Sequence, residues 1–192
     1  MIIKIFYEEI NHFLIFFSDF FPGRIGVYLR RLLYKNKMKS FGKNVFLDKG
    51  LYIPHAKTVS IGNNCRINRF GALVSCEKSS IKIGSNVSMN EFVNVNAANG
   101  GHINIGDNTL IASNVVIRAA DHETSKNGDN IKQNGHIPGN IIIGKNVWIS
   151  SNCVILKDVK IGDNAVIGAG TVIREDVEKN RTVVGSAQRI IN

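Results

Sequence analysis

The chain has 192 residues, 44% of them hydrophobic and 20% charged, which is about one globular domain and neither a disordered chain nor a solvated polyampholyte. Eighteen Gly against three Pro exclude a collagen-like or Pro-rich chain, and three Cys without CxxC spacing (Cys65, Cys76, Cys153) argue against a disulfide framework or zinc ribbon and for a reducing cytosol. The net charge of +9 invites a nucleic-acid reading, but Arg24, Arg30, Arg31, Lys35, Lys37 and Lys39 crowd between Pro22 and Ser40 with no acid among them, a pattern that fits a local anionic contact better than a groove tracking a polyanion.

Residues 1–21 are rich in Ile, Phe and Leu, interrupted by Lys4, Glu8, Glu9, Asn11, His12 and Asp19. No apolar run reaches the ~20 residues of a membrane span, and no small-residue cleavage site follows a clean apolar core. Ile3, Tyr7, Ile10, Leu14 and Phe17 fall at three- and four-residue steps, which predicts a helix. That helix either packs on the main domain or a neighbouring subunit, or lies at a membrane interface with the basic stretch on anionic head groups. Pro22-Gly23 breaks the segment, and residues 1–40 are set apart as an N-terminal unit.

From residue 41 the chain is a repeat. Ile143, Ile149, Ile155, Ile161, Ile167 and Ile173 stand six apart, and a compact side chain follows each by four: Val147, Cys153, Val159, Ala165, Thr171 and Val177. The frame continues upstream in Ile105, Ile111 and Ile117, then Ile83, Met89 and Val95, then Ile61, Ile67 and Leu73, with Phe41, Leu47 and Ile53 as a degraded first set. Extra residues fall after the third side of a set. Six steps of about 100° turn a helical side chain off its starting face, so the period is not helical. Three short strands per coil, each with one inward aliphatic, predict a triangular parallel β-helix of roughly seven coils, with Gly and Asn at the corners.

The stretch IGKNVWISSNCVILKDVKIGDNAVIGAGTVI resembles the hexapeptide-repeat acyltransferases, and the resemblance extends over about residues 41–190. It implies an all-β solenoid with left-handed winding, where the usual crossover rule would give a right hand. It is closest to the sugar O-acetyltransferase branch, similar to the maltose and galactoside acetyltransferases. The short basic N-terminal segment looks more like the bacterial polysaccharide O-acetyltransferases. The resemblance implies a homotrimer that binds acetyl-CoA and a sugar or glycan acceptor between neighbouring subunits.

A bare solenoid has no active site, so the largest break in the repeat, 119–140, is where chemistry is expected. It is polar, holds three Gly and carries His122 and His136. Acetyl transfer to a hydroxyl needs a group that removes the proton as oxygen attacks the thioester, and imidazole suits this near neutral pH. The run from Ile105 to His122 resembles the galactoside acetyltransferase pattern, which implies that His122 is the catalytic base. Asp121 or Glu123 could orient the ring. His136 is a substrate-contact candidate, His102 in the corner extension GGHIN is expected to be structural, and His12 and His55 carry no motif. The related γ-type carbonic anhydrases bind zinc through a close His pair five residues apart, and no such pair occurs here, so no metal is expected.

Further expectations rest on the same resemblance. Asn94, with Asn90 and Asn96 as rivals, would meet the acceptor hydroxyls. Ser151 and Ala169 would flank the pantetheine arm, Trp148 would sit near the acetyl end, and a backbone N–H at Ser150 or Ser151 would meet the oxyanion. Arg189 would reach the nucleotide end. The family's Pro and last-coil Lys are replaced by Ala187 and Glu175, which moves the expected phosphate contacts to Arg174, Lys179 or Arg181. Cytoplasmic acetylation of a lipid-linked glycan would explain a membrane contact through residues 1–40. Acylation of an amino-sugar nucleotide and a non-catalytic assembly role are the rivals. Nucleic acid is not an expected partner, because the repeat lacks interleaved aromatic and basic residues.

Overall fold

An aliphatic side chain at every sixth position needs a dry interior on one side of every strand, and the chain supplies it by stacking on itself. In the computed structural model, which describes residues 9–10, 13–124, 130–185 and 189–191, every frame residue from Leu47 to Ile173 is buried. Phe41, at one end of the stack, is partly buried against the same core. Three parallel sheets result. The first face runs from Ser40–Phe41 through Val59–Ile61, Ser80–Ile83, His102–Ile105 and Asn140–Ile143 to Val159–Ile161. The second includes Arg66–Ile67, Leu110–Ile111, Trp148–Ile149 and Val166–Ile167, and the third runs from Ala72–Val74 through Asn94–Asn96, Val116–Arg118 and Val154–Ile155 to Val172–Ile173. Equivalent positions pair in register: Ile143 lies between Ile105 and Ile161, and Ile117 between Val95 and Ile155.

The architecture is a parallel β-solenoid consistent with left-handed winding, and it has about six turns against the roughly seven expected. The shortfall has a physical origin. Extra residues sit where the third face turns into the first: a short 3₁₀ turn at Ala56–Thr58, a turn at Cys76–Ser79, another at Asn99–Gly100, and the long excursion after Ala119. These lengthen coils without adding any.

The corner between the first and second faces explains the recurring Gly-x-Asn. Asn44, Asn64, Asn86, Asn108, Asn146, Asn164 and Asn180 all hold positive φ, which Asn tolerates better than other non-Gly residues. Their amides form ladders along the axis, as in Asn146 Nδ2 to Asn164 Oδ1 and Asn164 Nδ2 to Asn180 Oδ1, both 2.9 Å. The preceding Gly is required by crowding: a Cβ on Gly106 would stand 2.5 Å from the Gly144 carbonyl oxygen of the next coil.

Before the solenoid, residues 13–18 are helical and a second helix spans Gly23–Lys35. The expected stripe meets solvent here: Ile10, Leu14 and Phe17 are exposed, whereas Ile15 and Ser18 face inward. Ile3 and Tyr7 lie outside the described residues. The second helix packs through Gly26, Arg30 and Tyr34. Arg30, counted in the sequence as one of six surface cations, is 2% exposed: Nε donates to the Leu47 carbonyl (3.0 Å), Nη1 donates to the Ser18 carbonyl (2.8 Å), and Asp19 lies 3.6 Å away. At the other end Thr182–Val184 extends the second face, and Arg189–Ile191 folds back antiparallel on it.

Candidate active site

The excursion at 119–140 is not a plain loop. Ala120–His122 and His136–Pro138 pair as an antiparallel hairpin, with Ala120 opposite Pro138 and His122 opposite His136. Directly opposed residues share one side of a hairpin, so the two imidazoles meet, 4.1 Å between ring centroids and inclined at 41°. Expectation had placed both side chains in one loop; the register makes them a pair. The hairpin root is tied down. Arg118 Nε donates to the Ala120 carbonyl (3.0 Å), the Gly139 N–H to the Ala119 carbonyl (2.8 Å), and the Asn140 N–H to Asp158 Oδ1 (3.0 Å). The Asp158 carboxyl is held below its usual range by the Lys157 ammonium and then by that Asn140 N–H.

Strand alternation separates His122 from the acids beside it. Asp121 pairs in register with Ile137 and contributes to the field at Lys157, on the other side of the hairpin from the imidazoles. Among the described residues no hydrogen bond joins Asp121 or Glu123 to the His122 ring, so neither orients it within one chain. His102 is engaged elsewhere, its Nδ1 2.9 Å from the Ser80 hydroxyl. Among the described residues no group of three His, Cys, Asp or Glu side chains is placed to hold a metal ion.

A cavity of about 480 Å³ opens beside His136, walled by Cys76, Glu77, Lys78, Asn99 and Gly100. The sequence reading assigned these residues nothing. Their signal was available in the set spacing, since each belongs to an insertion after a third side. Behind its wall the buried Ser79 hydroxyl lies 3.3 Å from Cys76 Sγ and lowers the thiol's pKa.

The third face carries Asn94, between Ala72 and Val116. Among the described residues its buried Oδ1 has no hydrogen-bond partner, an unusual condition for an acceptor and one that a substrate hydroxyl would relieve. The rival Asn96 is already occupied, its Oδ1 accepting the Ala98 N–H at 3.0 Å.

The residues expected to hold a coenzyme lie elsewhere. Trp148 stands out from the second face, 51% exposed, between Leu110 and Val166. Ser151 and Ala169 stack on successive coils at the corner between the second and third faces, where the Gly170 N–H donates to the Ser151 carbonyl at 3.0 Å. Ser150 is buried and its N–H donates to the Ile167 carbonyl at 2.9 Å, which removes it as an oxyanion donor. The Ser151 N–H has no such partner among the described residues, so the expectation narrows to it. Two small side chains flush with the corner leave a ledge that fits a thin pantetheine arm. Arg174 is exposed just beyond Val172–Ile173. Arg181 is engaged with Glu178, 3.8 Å away. Arg189 begins the last strand, opposite Val184, and its side chain lies outside the described residues. The hairpin thus leaves one edge of the third face while the Ser151–Ala169 ledge borders the other, so a single chain does not bring the two groups together.

Comparison with known proteins adds four findings. Residues 140–175 match the family described as bacterial transferase hexapeptide (six repeats). A 70-residue stretch is 44% identical to the galactoside O-acetyltransferase of Escherichia coli (strain K12), covering 36% of this chain and 32% of that protein; the chain therefore matches about a third of the curated relative's length. Among solved structures, an N-acyltransferase from Bacillus cereus, AntD, in complex with dTDP and 3-hydroxybutyryl-CoA, superposes with a TM-score of 0.74 at 27% identity, covering 84% of this chain and 86% of that one. A hexapeptide-repeat acetyltransferase of Vibrio cholerae O1 biovar eltor, complexed with acetyl coenzyme A, shares the fold with a TM-score of 0.62 at 22% identity.

Proposed function

We propose that the chain, which carries bacterial transferase hexapeptide repeats over residues 140–175, is an acetyl-CoA-dependent O-acetyltransferase acting on a sugar hydroxyl in bacterial surface polysaccharide synthesis. The observation that carries the reading is the His122–His136 pair, presented on a hairpin whose root is fixed by Arg118 and Asp158. The likeness to the galactoside O-acetyltransferase supports hydroxyl as the acceptor.

Acetyl-CoA supplies a thioester acyl group. The His122 imidazole takes the acceptor hydroxyl proton as the oxygen forms its bond to the carbonyl carbon. The Ser151 N–H meets the developing oxyanion. When the C–S bond breaks, the imidazolium returns the proton to the departing sulfur, which gives an acetyl ester and free coenzyme thiol. His136 and the buried Asn94 carbonyl oxygen hold the acceptor, with Asp121 at the rim. Trp148, Ala169, Arg174 and Arg189 line the coenzyme path, while Ser150, buried with its N–H on the Ile167 carbonyl, supports the neighbouring Ser151 from behind.

Because the hairpin and the ledge border opposite edges of one face, the site is shared: His122 of one copy acts on a thioester lying along the next, within a homotrimer. The compartment is the cytoplasm. Among the described residues no helix is long and apolar enough to cross a membrane.

A second reading, N-acylation of an amino-sugar nucleotide, is favoured by the chain-length match to an N-acyltransferase bound to dTDP. Product chemistry separates the two. The full chain is incubated with acetyl-CoA and a panel of sugars, nucleotide sugars and glycan fragments, and the acetylated product is treated with hydroxylamine. An ester surrenders its acetyl group and supports O-transfer. An amide keeps it and transfers the assignment to the second reading.

A further inference from the structure

The Gly23–Lys35 helix turns an apolar stripe outward. Gly26, Arg30 and Tyr34 face the solenoid, whereas Ile25, Tyr28 and Leu32, spaced by three and four, face solvent. Just before it Phe13, Phe16, Phe17 and Phe20 are also exposed. Their rings contact one another: Phe13 stacks on Phe17 at 6.1 Å and Phe16 meets Phe20 edge-on at 5.2 Å. A soluble surface rarely leaves so many large apolar side chains clustered in water.

Beside this patch lies a cavity of about 510 Å³ between the helix and the first coils. Arg24, Arg31 and Arg66 line it, together with Tyr28, Phe46 and Asp48. Arg66 lies over the Phe46 ring at 4.1 Å from the centroid, which holds its guanidinium in place. Among the described residues none of the three guanidiniums has a hydrogen-bond or ion-pair partner, although Asp48 supplies one negative charge to the wall. Asp19 is turned onto Arg30 and accepts the Gly50 N–H at 2.9 Å, and the exposed Glu9 precedes the Phe13–Phe20 cluster. Three unpaired cations beside an aromatic surface match phosphate groups lying just above hydrocarbon.

We propose that this face docks on an anionic phospholipid leaflet, the Phe13–Phe20 cluster and the Ile25, Tyr28 and Leu32 stripe entering the interface while head-group phosphates sit against Arg24, Arg31 and Arg66. A second copy meeting this face across a two-fold axis is the poorer occupant, because it would set the same arginines against each other; a three-fold contact within the proposed trimer is the outcome that the oligomer measurement below detects. The inference does not depend on the acyl-transfer reading, since none of these residues belongs to the hairpin or the ledge.

The test is sedimentation of the full chain with vesicles of phosphatidylcholine alone and of phosphatidylcholine mixed with phosphatidylglycerol. Binding to the mixed vesicles only, weakened by salt, is the expected result. The double variant Arg24→Glu/Arg31→Glu should bind at least about twenty-five-fold less, since each basic residue near the surface contributes about a factor of five. Phe16→Ser/Phe20→Ser should also bind less, with an unchanged melting temperature because both rings are exposed. Equal binding to both vesicle types, or variants that bind like the parent, overturns the proposal. So does inorganic diphosphate binding by a chain that ignores vesicles, which makes the cavity a site for free phosphate. Loss of oligomer without loss of vesicle binding in Phe16→Ser/Phe20→Ser would assign the patch to another copy and overturn it equally.

Discussion

Arg30 shows what a single side chain can do against its compositional type. Its guanidinium is buried under the first coil, donating to two backbone carbonyls on different segments, and Asp19 stands beside it. Arg30→Ala would strip the Leu47 carbonyl of this donor, leave the Ser18 carbonyl only the Phe21 N–H, and leave Asp19 without its cation. A loss of about 3–5 kcal/mol is expected, the range for breaking a buried pair, measured by denaturant unfolding. Arg24→Ala, at an exposed position, should leave stability unchanged. No sequence pattern marked Arg30 as different from its five basic neighbours, because burial of an Arg depends on which carbonyls happen to lie above it. The corner asparagines were the opposite case. Asn146 and Asn164 recur at a fixed distance after an inward Ile, and a residue type that tolerates positive φ at a regular interval announces a turn.

At the scale of the element, the solenoid faces were legible and the hairpin was not. Each frame aliphatic from Leu47 to Ile173 points inward as the period of six requires. The residues from 120 to 138 stand outside that period, so the period could reveal that a segment leaves the stack but not that it pairs with itself. The opposition of His122 and His136 is a register fact, and register within an isolated hairpin is weakly marked by a polar sequence. Asp121 was expected beside the imidazole because it adjoins it in sequence, and strand alternation puts it on the other side. The corners make a firmer claim. Gly106→Ala would drive a Cβ to 2.5 Å from a carbonyl oxygen of the coil above. The atoms it would meet, at Gly144 and Lys145, are backbone and cannot yield as a side-chain tip would. A loss of about 1–3 kcal/mol is expected, seen as a lower thermal midpoint.

At the scale of the molecule, the stack itself keeps the two halves of the site apart. One long excursion and three smaller corner insertions reduce seven expected coils to about six, and they all emerge along one edge. That edge carries His122, His136 and the Cys76–Asn99 cavity. In the proposed homotrimer a neighbouring prism would bring it to a Ser151–Ala169 ledge. The exposed faces carry no periodic signal, so the partner arrangement was legible only through resemblance. The most direct measurement is acetyl transfer by His122→Ala beside its affinity for coenzyme A. The account predicts that turnover falls about 10²–10⁴-fold, the usual contribution of a positioned acid–base group, while coenzyme binding and melting temperature stay at parental values. Parental turnover in the variant would contradict it and take the chemistry away from the hairpin.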